Sequence, residues 1–371
     1  MIEYGDMAEP DFATLDGDAL LTSLQQQAVE RGVSDLHLTP EKKAVRLEWR
    51  LHGILTRIAD VSPKQYEGLL RRVKFESKLK LNITEIPQDG QYSFPAGERR
   101  VNVRVATLPT LYGESLTLRL LDPARGILPL EKLGFTPQMH ETLRQFMEVP
   151  QGLLLVTGPT GSGKTTTLYA LLSTIVGKNR NIVTLEDPIE YELAGITQSE
   201  IDLTHDYTFA NGLRAILRHD PDVILVGEIR DTETAQTAIN ASLTGHLVLS
   251  TLHTNSAIET IPRLLSMGVS PYTLAPALRG VLSQRLVRRL TDACRGATCD
   301  PAANASYGGQ AAVAELLPVT TGIQQLILSL EQGPAIEAQA RKDGFRTIRE
   351  AAEKLMKEGV TTKEEVERVL G

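Results

Sequence analysis

Gly158-Pro159-Thr160-Gly161-Ser162-Gly163-Lys164-Thr165 fits the pattern G-x-x-x-x-G-K-[ST] at every position, and Thr166 carries it into the stretch TTTLYALLSTIV. The run LLLVT precedes it, so a buried strand feeds a glycine loop that opens a helix. Glycines let successive backbone N–H groups turn inward around phosphate oxygens, and the helix N-terminus adds a favourable dipole. Lys164 places a point charge on the β- and γ-phosphates, and the Thr165 hydroxyl is a ligand for Mg²⁺. The segment is expected to bind a nucleotide with its magnesium ion.

Outward from this loop, short continuous apolar runs alternate with helical patterns. Strands are expected at 152–157, 181–186, 223–228 and 246–252, and runs such as VILV and LVL suit parallel strands covered on both faces. An α/β domain follows from that order. Phe209, Leu213, Ile216 and Leu217 share one face of the helix before Asp220. From about Ile261 onward the chain reads as helical, and Thr362 with Glu365 reads as a capping box for the last helix.

Two strand ends supply acids. Glu186 ends TLEDPIE, and Glu228 ends ILVGEIRD, where Gly227 occupies the place at which a metal-binding Asp is usual. Mg²⁺ therefore falls to Thr165, water and a neighbouring carboxylate, with Glu186 the candidate. Glu228 is the candidate for polarising the attacking water; helix capping is the competing reading for both acids. His246 and His253 flank the strand in GHLVLSTLHT and occupy its entrance and exit, where an imidazole near a γ-phosphate can report hydrolysis; a purely structural histidine is the competing reading. Arg230 either links this strand to a neighbour or to phosphate, or makes a plain salt bridge.

The first third of the chain has another rhythm. Asp18 is the expected cap of a helix carrying Leu20, Leu21, Leu24 and Ala28 on one face and ending at Gly32. Alternating runs follow: Leu36 and Leu38, then Val45 to Leu51, then Val101, Val103 and Val105, then Leu116, Leu118 and Leu120, with a helical stretch from about Pro63 to Leu81. The expected organisation is a flexible leader at 1–17, a smaller α+β domain at 18–121, a linker at 122–130 and the nucleotide-binding α/β domain at 131–371, its C-terminal part helical. Arg104 and Arg119 lie on two strands that pair as a long hairpin, so both can project from one edge of the sheet as arginines supplied to a neighbour's nucleotide; ordinary surface cations are the competing reading.

The 371 residues hold 39 Lys+Arg against 46 Asp+Glu, a formal net charge of −7, with 42% hydrophobic residues. That balance argues against a nucleic-acid coat and excludes a disordered or collagen-like chain. No apolar run approaches the roughly 18–20 residues of a membrane span, and no signal-peptide pattern opens the chain. Cytoplasmic placement is expected, with any membrane role exercised by peripheral docking. Arg285, Arg288, Arg289 and Arg295 form either a partner-docking surface or a solvated face. Cys294 and Cys299 are the only cysteines; they cannot make a disulfide framework, nor fill the four positions of a structural zinc site, so zinc is not expected.

The segments GPTGSGKTTTLYALL, TLEDPIEY, DPDVILVGEIRD and ASLTGHLVLSTLHTN, in this order, resemble the secretion ATPases of type II secretion and type IV pilus assembly over roughly residues 20–371. SLTGHLVLSTLHTN and RGVLSQRLVRRL bring it nearer the extension branch than the retraction branch. The resemblance implies a RecA-like P-loop ATPase domain preceded by a PAS-like domain, and a homo-hexamer that hydrolyses ATP to drive pilin or pseudopilin assembly while docked on an inner-membrane platform protein. It implies an Asp box around Glu186 and Asp187, a His box with His246 and His253, and arginines near Arg104 and Arg119 turned toward nucleotide. It also makes Gly227-Glu228 the family's own form of that strand end. Longer members carry an extra N-terminal docking domain, taken as lacking here, and many carry two CxxC pairs for zinc where this chain has two cysteines. Both differences also suit the retraction branch. A ring ATPase for retraction or nucleic-acid export, and a nucleotide-gated scaffold without turnover, are the alternatives.

Overall fold

A computed structural model of the chain describes residues 12–295, 299–300, 303, 306–331 and 333–371. The chain divides into two compact units, 1–126 and 127–371.

In the first unit β1 (Val33–Pro40), β2 (Val45–Leu51), β3 (Ile54–Val61), β4 (Gln88–Ala96), β5 (Arg99–Thr110) and β6 (Gly113–Leu121) form an antiparallel sheet in the order β3-β2-β1-β6-β5-β4. Alternate residues (Leu36, Leu38, Leu47, Trp49, Val103, Leu118) enter one core with Leu20, Leu24, Leu69 and Val73 of the helices Gly17–Arg31 and Pro63–Glu76. Strands β3 and β4 carry weak alternation in sequence because they are the two edges, where the burial that enforces alternation is incomplete.

The first helix starts earlier than expected. Asp16, rather than Asp18, is its cap and accepts from the Ala19 N–H at 2.9 Å. Gly17 permits this, since a Cβ there would lie 2.5 Å from the Leu69 nitrogen on the crossing helix. Phe12 is already buried in the same core. The remainder of the expected leader, residues 1–11, lies outside the described residues.

In the second unit β7 (Gly152–Thr157), β8 (Ile182–Glu186), β9 (Thr197–Glu200), β10 (Val223–Val226), β11 (Leu247–Leu252), β12 (Leu278–Leu290) and β13 (Tyr307–Pro318) are ordered β13-β12-β7-β11-β10-β8-β9. All pairings are parallel except β12 with β13. Leu153 and Leu155 of β7 enter one hydrophobic core while Leu154 and Val156 enter another, so helices cover both faces.

The stretch expected to be helical from Ile261 is interrupted by β12 and β13. In RGVLSQRLVRRL the arginines read as the polar side of a helix, yet Arg285 and Arg288 are buried. The partner of β12 is β7, more than a hundred residues earlier, and that pairing leaves no local sign. Arg285 and Arg288 are therefore no solvated or docking face, whereas Arg289 and Arg295 are exposed. Arg288 donates to Glu365 at 2.9 Å and stacks 3.9 Å over the Tyr307 ring. Glu365 is thereby engaged by Arg288 and Arg368, so the expected capping box is half-formed: Thr362 accepts from the Glu365 N–H, and the Glu365 carboxylate does not return. Cys294 and Cys299 are joined as a disulfide. Among the described residues no helix is long and apolar enough to cross a membrane.

Candidate active site

Parallel strands end on one side of a sheet, and the crevice beyond those ends is where α/β folds bind ligands. The phosphate loop leaves β7 there and closes into the helix Lys164–Ser173. Thr166 lies in the first turn of that helix. The Lys164 ammonium donates to the carbonyls of Gly158 and Pro159 at 2.9 and 3.0 Å and so lies folded over the loop. Burial pushes its pKa down, while nearby Glu228 pulls it up and Arg285 pushes it down further. The Ser162 hydroxyl is buried inside the loop without a hydrogen-bond partner, which suits a cradle whose polar atoms are meant for a ligand.

Gln284 of β12 fixes the loop from behind. Its Nε2 donates to the Ser162 carbonyl at 2.6 Å, and its Oε1 accepts from Thr167 at 2.9 Å.

Glu228 lies just past β10, with its side chain 12% exposed. Arg230 reaches one of its oxygens at 2.5 Å, and His253 Nε2 stands 3.7 Å from the other. Arg230 therefore makes the plain salt bridge. A Cβ on Gly227 would lie 3.1 Å from the Leu185 carbonyl oxygen and 3.4 Å from Glu186 Cα, so an aspartate would crowd the neighbouring strand.

Glu186 is 4% exposed. It accepts from the Tyr169 hydroxyl, from Thr184 at 2.6 Å and from Gln198 at 3.1 Å. Burial first, then the carboxylate itself, holds the Tyr169 phenol protonated well above its ordinary range, which keeps it a donor.

The two histidines separate. His253 follows the C-terminal end of β11, faces Glu228 and lines a cleft of about 370 Å³ with Gly158, Pro159, Thr254, Asn255, Glu259 and Arg263. His246 precedes the strand, roughly 20 Å away along the chain direction, and its Nδ1 contacts the Ala241 carbonyl at 2.9 Å at the end of the preceding helix. The structure does not bring His246 to the site.

Arg104 and Arg119 belong to the first unit, where they are direct cross-strand partners on β5 and β6. Arg119 donates to the buried Asp35 carboxylate at 2.8 Å, which offsets two like charges side by side.

The Mg²⁺ expectation can be tested on the donor set. Thr165 opens the helix within the phosphate loop, and no cluster of three His, Cys, Asp or Glu side chains occurs among the described residues. A lone hydroxyl fits an ion that keeps waters and takes its other ligands from phosphates. Glu186, enclosed by three donors, does not present a free oxygen to such an ion.

Tyr169, Gln284 and Glu315 are residues that sequence reasoning passes over, and Arg285 is one to which it gives a surface role. The only signal for them is the alternation of S-Q-R in β12, which sends Gln284 to one face of the sheet and Arg285 to the other.

Comparisons with known proteins bear on the family and the fold. The family described as type II/IV secretion system protein matches residues 16–368. The chain is 41% identical to the type II secretion system ATPase E of Vibrio cholerae over 94% of this chain and 74% of that protein. It is 44% identical to the type II secretion system protein E of Pseudomonas aeruginosa, with 94% and 74% covered. Among solved structures it is similar to the crystal structure of the pilus retraction motor PilT with bound ADP, at 30% identity and a TM-score of 0.61 over 94% of this chain and 98% of that one. The second unit is accordingly a RecA-like P-loop domain, and the chain belongs to the type II/IV secretion system protein family.

Proposed function

We propose that the protein is a hexameric motor that hydrolyses ATP to drive pseudopilin or pilin assembly in a type II secretion or type IV pilus machine. The observation that carries the reading is Glu228, held at a strand end on the phosphate-loop side of the sheet, with His253 opposite and Arg230 alongside. Identities of 41% and 44% to type II secretion proteins support that branch over retraction.

In this mechanism residues 158–166 and the Lys164 ammonium hold the triphosphate. Glu228 accepts a proton from a water aimed at the γ-phosphorus as the bond to the ADP oxygen breaks. Mg²⁺, held by Thr165, water and phosphate oxygens, would neutralise the charge that gathers on the phosphates. Glu186 supports the site by fixing Tyr169 and Gln198, and His253 senses the state of Glu228. Arg104 and Arg119 complete the site of a neighbouring subunit. The protein works in the cytoplasm, docked on an inner-membrane platform protein.

The test is steady-state phosphate release from the purified chain with ATP and Mg²⁺, together with its mass in solution. Turnover lost in Lys164→Ala and a hexameric mass support the reading, whereas ATP binding without phosphate release would leave a scaffold. For the arginines, inactive Arg104→Ala subunits should regain activity when mixed with Glu228→Gln subunits. Failure to complement in hexamers of confirmed composition would remove the action in trans.

A further inference from the structure

The loop that carries His253 is gripped from two sides by buried charges that take no part in the chemistry described above. Arg285 of β12, 9% exposed, donates through Nη2 to the Asn255 carbonyl at 2.9 Å and through Nη1 to the Gln284 carbonyl at 3.0 Å. Glu315 of β13, 2% exposed, accepts from the Ala257 N–H at 2.6 Å on one oxygen and from the Ile348 N–H at 2.7 Å on the other.

The register explains how both reach the same loop. Ser283 pairs with Glu315 across the ribbon, and Arg285 is two residues further along β12, so all three face one side of the sheet. Gln284, between them, faces the other side and holds the phosphate loop. One dipeptide of β12 thus fixes both the phosphate loop and the loop that carries His253.

Burying a guanidinium and a carboxylate is costly unless their hydrogen bonds are made, and replacement by apolar residues of similar size is often neutral for stability. Their expense is therefore better matched to geometry than to folding. Both Glu315 oxygens are spent on backbone amides, one in the His253 loop and one at the start of the helix Ile348–Lys357.

We infer that Arg285 and Glu315 are positioning residues for ATP hydrolysis, holding the segment 253–257 so that His253 stays opposite Glu228. The inference rests on the role given to His253 in the proposed function. A displacement of about 1 Å in a reacting geometry can cost about 10²-fold in rate. Losing either grip should therefore act on turnover far more than on nucleotide binding, for which the phosphate loop keeps its own anchor in Gln284.

The experiment compares full-length hexamers of Arg285→Met, Arg285→Lys, Glu315→Gln, His253→Ala and the double variant Arg285→Met/His253→Ala. It measures kcat, the affinity for a fluorescent ADP analogue, and amide hydrogen exchange over 253–257. Arg285→Met is expected to lower kcat by about 10- to 100-fold, to hold ADP affinity within about threefold, and to speed exchange in the loop. Arg285→Lys, which keeps a donor, should recover part of the rate. The double variant should be no slower than His253→Ala, because residues that act through one another are non-additive. Should Arg285→Met fail to fold, Glu315→Gln keeps the volume and one acceptor oxygen and carries the same comparison. Normal kcat in folded Arg285→Met and Glu315→Gln overturns the inference, and so does a kcat loss matched by an equal loss of affinity. If His253→Ala is slow and the double variant is slower by the full Arg285→Met factor, the inference fails alone. If His253→Ala turns over normally, the role of His253 fails and takes the inference with it.

Discussion

Strands β8 and β10 are neighbours in the sheet, paired so that Val226 lies level with Leu185, and each runs into a glutamate. Their surroundings diverge. Glu186 is enclosed by Tyr169, Thr184 and Gln198, each of which donates to it. Glu228, two residues past its strand, has Arg230 on one oxygen and His253 standing off the other. A buried carboxylate with both oxygens hydrogen-bonded is suited to organise structure, while one with an oxygen left to a histidine 3.7 Å away is better placed to take a proton. Gly227 widens the difference, because its missing side chain lets the β10 end press against the Leu185 carbonyl. Two acids of similar sequence setting thus have different surroundings, and the proposed mechanism gives them different roles.

The sharpest way to break this contrast is Glu228→Gln. The amide keeps the shape and cannot accept the proton, so kcat should fall by about 10²–10⁴-fold, with ATP affinity retained. Phosphate release and equilibrium binding on the same protein decide it. A loss below about threefold would return Glu228 to the rank of a structural acid.

Glu186→Gln should show the opposite balance. Its amide group would place a donor against Tyr169 or Thr184, leaving buried polar groups mismatched at a cost of about 1–3 kcal/mol. A lowered thermal midpoint is expected, with a smaller loss of kcat than in Glu228→Gln. Tyr169→Phe removes one donor to the same carboxylate and should lower the midpoint in the same direction. A Glu186→Gln protein of unchanged stability and abolished turnover would make the two acids equivalent.

How much of this was visible beforehand differs between the two strand ends. The phosphate loop, β7, β10 and the paired carboxylates are legible because their signal is local: a motif, or an apolar run that stops at an acid. The surroundings of Glu186 are not legible, since Tyr169 and Gln198 reach it through tertiary packing from other elements. The arginines of β12 mimic the polar stripe of a helix in sequence, and only the pairing with β7 shows a strand in which Arg285 and Arg288 are buried. The first helix was misplaced by two residues because Asp16 and Asp18 are equally good caps in sequence, and the close approach of Gly17 to Leu69 selects between them.

Lys164 offers a subtler test of the open end of the site. Burial lowers its pKa from the ordinary lysine value, and Glu228 opposes that shift. The protonated ammonium is the form that binds phosphate, so kcat/KM, which follows the free enzyme, should decline on the alkaline side at a lower pH than an ordinary lysine would give. In Glu228→Gln the opposing charge is gone, and ADP affinity should begin to decline at a still lower pH. An alkaline decline that stays put when Glu228 is neutralised would show that the two groups do not sense each other.

The smallest expected effect belongs to His246. It shares β11 with His253 but precedes the strand, while the phosphate loop and both glutamates lie beyond the opposite ends of the parallel strands. Its Nδ1 meets the Ala241 carbonyl, which places the ring at the end of the helix Thr232–Leu243. An imidazole there can satisfy one helix carbonyl, an interaction worth about 0.5–1.5 kcal/mol. His246→Ala should therefore lower the thermal midpoint slightly and leave kcat and ADP affinity within about twofold, since the ring is roughly 20 Å of strand away from Glu228. His246→Asn, which keeps a donor near the carbonyl, should recover the midpoint. A tenfold fall in kcat for His246→Ala in the hexamer, with the midpoint unmoved, would show that this end of β11 acts on hydrolysis by a route other than the strand-end site.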